Sequence, residues 1–298
     1  MFKLIANRKI WYSISIFSII LSAAVLIIFG LRVGVDYKGG TILEIQSSSD
    51  NINIKIEESL KSNSIDSYQI KPMSNNSYSI RINEIDNTTK NNVLNSIKLS
   101  APDVKELSFD SVGPTVGQDL RNKSIYAVIA ASLAIIIFIA YSFRKIPKPL
   151  SPWKFGLFAV LALAHDLFVT TGLVSLLGHY FVWMEVDVLF ITALLTIMGF
   201  SVHDTIVIYD RLRENFIRHR NKSIEQVAEE SVNQTIARSI NTSITTVIVL
   251  FALLLLGGSP IRHFVVILIF GILVGTYSSI FIAAPLIVTS HKNLSRTK

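Results

Sequence analysis

The sequence predicts a membrane protein in two parts: an all-α bundle of six transmembrane helices, and a small α+β domain placed outside the membrane between the first two. Three observations carry this. Half of the 298 residues are apolar and only 16% are charged, and the mean hydropathy of +0.49 is far above that of soluble domains. Six apolar runs each reach about 20 residues or more, the length a helix needs to cross the hydrocarbon. One polar block, residues 31–123, interrupts them and carries the periodicities of a folded domain. The net charge of +7 does not indicate nucleic acid, because its excess lies in short segments abutting apolar runs, the positive-inside pattern. There are no cysteines, which excludes disulfides, thiolate metal sites and cysteine nucleophiles.

Residues 1–30 form a short basic tail (Lys3, Arg8, Lys9) and a first helix, Trp11–Gly30, with Trp11 and Tyr12 at interfacial depth. The run is long enough to span and no small-x-small cleavage site follows it, so an uncleaved helix is expected. In the block 31–123, Thr41–Gln46 reads as a strand. Ile52, Ile56 and Leu60 recur at helical spacing. Ser67–Pro72 and Ser77–Ile82 alternate around a Ser74-Asn-Asn76 turn. Thr88–Leu99 puts Val93, Leu94 and Ile97 on one helical face, and Val104–Val112 is extended. The order strand-helix-strand-strand-helix-strand is a split βαβ unit, the ferredoxin-like arrangement.

The bundle, residues 124–290, follows. Its spans are read as Ser124–Phe143, Phe155–Leu177, Val188–Tyr209, Val232–Leu256 and Phe264–Val288. The Lys-, Arg- and Pro-rich segment 144–154 and the Arg- and Glu-rich segment Asp210–Glu230 read as inner loops, the latter with amphipathic helical character. Gly178–Asp187 has no Lys or Arg, as an outer loop should, and Gly257–His263 reads as a tight outer turn. Residues 291–298 form a basic inner tail, so both termini lie on the cytoplasmic side.

Polar residues inside the spans are the candidate chemistry. An ionised carboxylate near a bilayer centre costs about 2.5–3.5 kcal/mol or more, and a chain that keeps one there is generally using it. Asp204 lies six residues inward of Asp210, roughly 9 Å along a helix. Arg238 lies at a similar depth in the fifth span, which enters from the same side, so the two can meet. Thr242 and Thr246 share the face of Arg238 at i+4 and i+8. Asp166, beside His165, sits near the middle of the third span, and His203 points about 100° away from Asp204. The set is consistent with a proton path, in which a carboxylate binds and releases a proton as its cationic partner shifts. The alternative is buried ion pairs that fix helix register; intramembrane position favours the proton path for Asp204 and Arg238 and leaves Asp166 balanced between the two. Asp210, Arg211, Arg213 and Glu214 read as an interfacial ion-paired face. Gly39-Gly40 lacks the surroundings of a phosphate loop and reads as a tight turn. Gly271 and Gly275, four apart, read as a close helix-packing face.

Three segments together resemble the SecF family, the smaller subunits of SecDF type in the bacterial Sec translocase. They are Gly34-Val-Asp-Tyr-Lys-Gly-Gly-Thr41 after the first span, Gly199-Phe-Ser-Val-His-Asp-Thr205 with the exit Tyr209–Asn215, and Ser231–Thr246. The resemblance spans essentially the whole chain. It implies half of an RND-type transporter that pairs with SecD in a pseudo-symmetric twelve-helix unit, works with the SecYEG channel and is associated with YajC. It implies use of the proton-motive force to assist late export of an unfolded polypeptide, in the bacterial inner (plasma) membrane, with residues 31–123 periplasmic. Neither an enzyme activity nor a cofactor or metal is implied. The family's proton-conducting residues in the fourth and fifth spans match Asp204 and Arg238; helical spacing adds Thr242, and intramembrane position adds Asp166. The family motifs cover Asp36, Gly39, Gly40, Thr41, His203, Asp210 and Arg211.

Other classes compete. An RND-type exporter of small molecules or lipids shares the helix pattern, but full exporters carry a second large outer loop. An intramembrane protease could use Asp166 and Asp204 as a dyad, yet neither lies in a Gly-x-Gly-Asp context and Arg238 would hold Asp204 ionised. Ser201 and His203, two apart on a helix, diverge. A scaffold role is the remaining alternative.

Overall fold

The computed structural model describes residues 3–73, 75–144, 146, 150–181, 183–219, 221–258 and 261–296, with side chains as far as His291. The chain divides into two compact units: Val33–Ile125, and Met1–Arg32 with Tyr126–Lys298.

In the smaller unit the predicted order is found. Strands β1 (Gly40–Gln46), β2 (Tyr68–Pro72), β3 (Ser77–Ile82) and β4 (Lys105–Val112) alternate with helices α3 (Ile52–Ser62) and α4 (Asn87–Ser100). The sheet order is β2-β3-β1-β4 with every pair antiparallel, the ferredoxin-like topology. Leu43 sits opposite Ile80 on one side and Phe109 on the other. Leu43, Ile45, Ile80 and Ile82 point into one core with Ile52, Ile56 and Leu60 of α3 and Val93, Leu94 and Ile97 of α4. The i, i+4, i+8 spacing of α3 is therefore its buried stripe. In the β2–β3 turn Asn75 and Asn76 take φ of 59° and 55°, which asparagine tolerates; Ser74 lies outside the described residues.

The segment before β1 is a structural turn, as its glycines suggested. A one-turn helix α2 (Val35–Lys38) ends at Gly39 (φ 78°) and Gly40 (φ 132°). A Cβ on Gly39 would lie 2.9 Å from the Pro114 backbone, so both conformation and space require glycine. The Thr41 hydroxyl accepts from the Ile85 N–H (3.1 Å) and bonds Ser111 (2.8 Å), tying β1 to its neighbours.

Asp103 closes the loop after β1. Its carboxylate accepts from the Ser49 hydroxyl, the Ser48 N–H (2.6 Å) and the Ser47 hydroxyl (3.0 Å), and these bonds hold its pKa at about 2. A depressed folded value means stabilisation that is complete above the unfolded pKa of about 3.9 and lost as pH falls to about 2. Amide-exchange protection of residues 47–49 should therefore fall between about pH 4 and 2. In Asp103→Ala it should be low and flat across that window. Asp86, held at about 2 by Thr88 and Thr89, titrates in the same range, so the readout has to be local.

Among the described residues, the larger unit holds six helices long and apolar enough to cross a membrane. They are α1 (Arg8–Phe29), α5 (Pro114–Ser142, whose start belongs to the smaller unit), α6 (Pro152–Tyr180), α7 (Val188–Arg218), α8 (Ile224–Leu256) and α9 (Arg262–Ser278). α9 continues through a π-helical turn, Ser279–Ala283, into α10 (Ala284–Arg296). In α6, α7 and the sixth span half or more of the apolar window is buried, against 11% in α1, α5 and α8. The first three are thus the centre of the bundle and the others its rim. Phe143 stacks on Phe155, and Tyr209 meets both rings edge-on. Gly271 packs on Ile197 and Gly275 on Ser201, the close α7–α9 contact expected of that pair.

The structure refines four of these readings. The second transmembrane helix starts at Pro114, ten residues before the apolar run, because residues 114–123 continue the helix with polar side chains. Asp210–Glu230 is mostly helix: α7 runs to Arg218, braced by Arg218–Glu214 (2.7 Å) and Arg211–Glu214 (2.5 Å) pairs, and α8 starts at a Ser223–Gln226 capping box. The sixth span is not uniform α-helix. The N-terminal segment is no loose tail: Ile5 is fully buried, and Glu229 of α8 accepts the backbone N–H groups of Leu4, Ile5 and Ala6 (the last two at 3.1 Å). A second helix thereby satisfies amides of the turn that precedes α1. In segment 144–154, read above as an inner loop, Lys145, Pro147, Lys148 and Pro149 lie outside the described residues, as do Ser259 and Pro260 of the turn 257–263, Arg220, and residues 297–298.

Candidate functional site within the membrane

Two buried carboxylates occupy the centre of the bundle. Asp166 of α6 is fully buried. Its Oδ2 accepts the hydroxyls of Ser201 on α7 and Ser278 on α9, each at 2.7 Å. Its Oδ1 meets His165 Nδ1 at 3.1 Å, and His165 Nε2 meets the Ser18 hydroxyl of α1 at 3.2 Å. The His165–Asp166 pair of α6 thus reaches three other transmembrane helices, α1, α7 and α9. Beside it the π turn sends Ser279 to the Ser201 carbonyl (3.1 Å) and to the Thr205 hydroxyl (2.8 Å), while Tyr209 donates to the Ala283 carbonyl (3.2 Å). π turns commonly mark such sites, since the extra residue frees carbonyls for side chains to use.

Asp204 of α7 is also buried, but its Oδ2 has no hydrogen-bond partner. It faces α8 at Ser239, whose buried hydroxyl interacts with the carboxylate without closing a hydrogen bond of ordinary geometry. Arg238 and His203 act on the carboxylate only at electrostatic range. Both are exposed, and no ion pair within 4.0 Å joins Arg238 to Asp204 among the described residues. The matched depths thus bring the two near each other without pairing them, because successive residues diverge by about 100° around α8 and Ser239 takes the inward position. The Thr242 and Thr246 hydroxyls bond back to the carbonyls of Arg238 and Thr242 (3.0 and 2.9 Å).

Arg238 instead lines an open cavity of ≈ 610 Å³ between α5, α7 and α8, together with Asp210, Arg211, Arg213, Glu214 and Gln234. Arg213 approaches Asp210 at 3.8 Å, and Gln234 accepts from Arg211 (2.5 Å) and Asn215 (2.9 Å). The exit motif is therefore an ion-paired face, and Arg238 stands between that polar face and Asp204. Asp36, Gly39, Gly40 and Thr41 belong to the smaller unit and its turn. Ser201, Ser239 and Ser278 were not foreseen from sequence; the available signal was a hydroxyl at a buried helical position beside a small-residue contact such as Gly275.

The family described as "Protein export membrane protein SecD/SecF, C-terminal" matches residues 92–293. The chain is similar to the protein translocase subunit SecF of Thermobaculum terrenum, 38% identical over 97% of this chain and 94% of the relative. It is likewise similar to SecF of Anaerolinea thermophila, 39% identical over 97% and 94%. Among solved structures, SecDF of Thermus thermophilus, described as a translocon-associated membrane protein, superposes with a TM-score of 0.82 at 28% identity. That match covers 98% of this chain and 39% of the longer SecDF chain. With its six apolar helices, its ferredoxin-like insertion and these relatives along its whole length, the chain is a multi-pass membrane protein that belongs to the SecF family of protein translocase subunits.

Proposed function

We propose that this chain and a SecD partner form one proton-driven unit in the bacterial inner membrane, with both termini of this chain cytoplasmic and residues 31–123 periplasmic. The unit works beside the SecYEG channel, with YajC, on unfolded polypeptide emerging at the periplasmic face. One observation carries the reading. α8 turns Arg238, Asn241, Thr242 and Thr245 outward, whereas the exposed faces of α1 and α5 are apolar, with residues such as Ile16, Phe17, Ile20, Ile129, Leu133 and Ile137. Lipid suits the second kind of face and penalises the first. The α8 stripe fits a protein neighbour, and it adjoins the buried Asp204. A half-site of this kind is completed by a second chain. The SecDF structure, in which a corresponding segment occupies 39% of a longer chain, supports SecD as that neighbour.

In this reading Asp204 exchanges the proton, Arg238 is the fixed positive charge beside it, Thr242 extends the polar stripe and Asp166 is a deeper carboxylate on the same route. Changing the charge on Asp204 changes its attraction to Arg238 and hence the preferred packing of α7 and α8. The membrane potential supplies about 2.3 kcal/mol per charge per 100 mV, enough to bias a two-state equilibrium substantially. The experiment is export into membrane vesicles depleted of both subunits and then resupplied. Resupply should raise late-stage export when a proton gradient is present, and a protonophore should remove the increment. Export that ignores the gradient, or dye efflux by this chain alone, would refute the proposal.

A further inference from the structure

We propose that His165, Asp166 and Ser18 form a second proton-holding site, distinct from Asp204, that takes up and releases one proton with no heavy atom moving. The proposal deepens the proton-coupled reading and rests on it for the proton's purpose, though not for the chemistry.

The donor count fixes the possibilities. Oδ2 of Asp166 already accepts two hydroxyls at 2.7 Å, so the proton that the carboxylate shares lies between Oδ1 and His165 Nδ1, 3.1 Å apart. At the other ring nitrogen, the Ser18 hydroxyl has two acceptors within reach: His165 Nε2 at 3.2 Å and the Ser15 carbonyl at 2.9 Å. With one proton on the pair, Nδ1–H donates to the carboxylate and Ser18 donates to Nε2. With two, Nε2–H donates to Ser18 oxygen, and Ser18 turns its own hydrogen to the Ser15 carbonyl. The second proton then sits on Oδ1 or on Nδ1, and every donor and acceptor is still satisfied. The step adds one proton and removes one negative charge from the pair. Only the Ser18 hydroxyl rotates.

The surroundings suit this task. α6 contributes the pair itself. Facing it are Ser18 from α1, Ser201 from α7, and Tyr277 and Ser278 from α9. Tyr277, its ring centre 6.2 Å from that of His165, is the one titratable neighbour among the described residues, and no charged side chain other than the pair's own touches it. Such a pair reports its own protonation, undisturbed by a fixed cation. Ser15 and Ser22 are buried in a helix whose other faces are apolar and exposed. Ser15 bonds Tyr277 (3.1 Å), which reaches the Trp11 carbonyl (3.0 Å) at the cytoplasmic end. Polar groups therefore lead from the pair toward that side. The order serine–histidine–aspartate also resembles a nucleophilic triad. Ser18, however, lies mid-helix with its neighbouring amides engaged, so no oxyanion donors are free.

The test uses the chain paired with its SecD partner in proteoliposomes, with histidine-selective nitrogen NMR; His165→Gln identifies the resonance among six histidines. The His165 ring should pass between two protonation states as pH is stepped over the range in which the pair stays folded, and should still do so in Asp204→Asn. Ser18→Ala, a mild change on a half-buried position, should shift that midpoint and the pH profile of proton flux, with flux falling about tenfold or more. A His165 ring in one form throughout the range overturns the proposal. So does a Ser18→Ala flux profile that superimposes on wild type. If the wild-type pair carries no proton flux, the coupled function fails while the NMR titration still decides this site.

Discussion

Asp204→Asn is expected to make the chain harder to unfold and, in the assembled pair, to remove gradient-driven export. The two effects have one cause. A carboxylate in a membrane span costs about 2.5–3.5 kcal/mol unless compensated, and here Oδ2 is buried without a hydrogen-bond partner, with Arg238 outside ion-pair distance. Asparagine keeps the shape, drops the charge and brings an N–H₂ that can donate where the carboxylate could only accept, with Ser239 facing it. Thermal unfolding in detergent should therefore shift upward. The same change leaves nothing to titrate, so the gradient-dependent increment in export should fall about tenfold or more. A gain in stability with loss of activity is the pattern expected where a destabilised group is kept for its function. Retention of the increment by Asp204→Asn would end the assignment. A fall in both stability and export would instead make the carboxylate a structural tie.

The architecture was legible because its signals are one-dimensional. Apolar run length sets a span, and the alternation in Ser77–Ile82 against the four-residue spacing of Ile52, Ile56 and Leu60 separates strand from helix whatever the partners are. The helix ends were less legible, since hydropathy marks where lipid stops and the helix need not stop there. Residues 114–123 and Asp210–Arg218 carry on as helix in polar surroundings. The capping box Ser223–Gln226 was a readable start signal for α8, and its hydrogen bonds are found. The site itself was half legible. That Asp204 faces α8 follows from depth, but whether it meets Arg238 or Ser239 depends on rotation about the α8 axis, which packing decides. The hydroxyls on Asp166 come from two other helices, α7 and α9, and His165 reaches a third, α1. No local pattern encodes Ser278 reaching Asp166, 112 residues away.

The packing that sets those rotations should be testable with two identical substitutions of opposite sign. Gly172 of α6 lies against α1, where an added Cβ would sit 2.4 Å from Ser22 Cβ and 2.8 Å from its Cα. Backbone cannot turn aside as a side-chain tip can, so α1 must retreat, and Gly172→Ala should destabilise the chain by about 1–3 kcal/mol. Gly199 of α7 has nothing within 4 Å of a built Cβ; Gly199→Ala should be neutral or stabilising by up to about 1 kcal/mol through helix propensity alone. Denaturant unfolding in detergent reads both. Equal effects would mean that the α1–α6 contact is loose, and the close approach of these helices would then not be what positions Ser18. That link gives the contact its functional weight. Ser18 lies one turn before Ser22 on α1, and its 3.2 Å bond to His165 lengthens as α1 moves out. Gly172→Ala should therefore disturb the His165 ring as well as stability. Adding Ser22→Gly, which removes the clashing side chain but not the 2.8 Å backbone contact, should restore part of both.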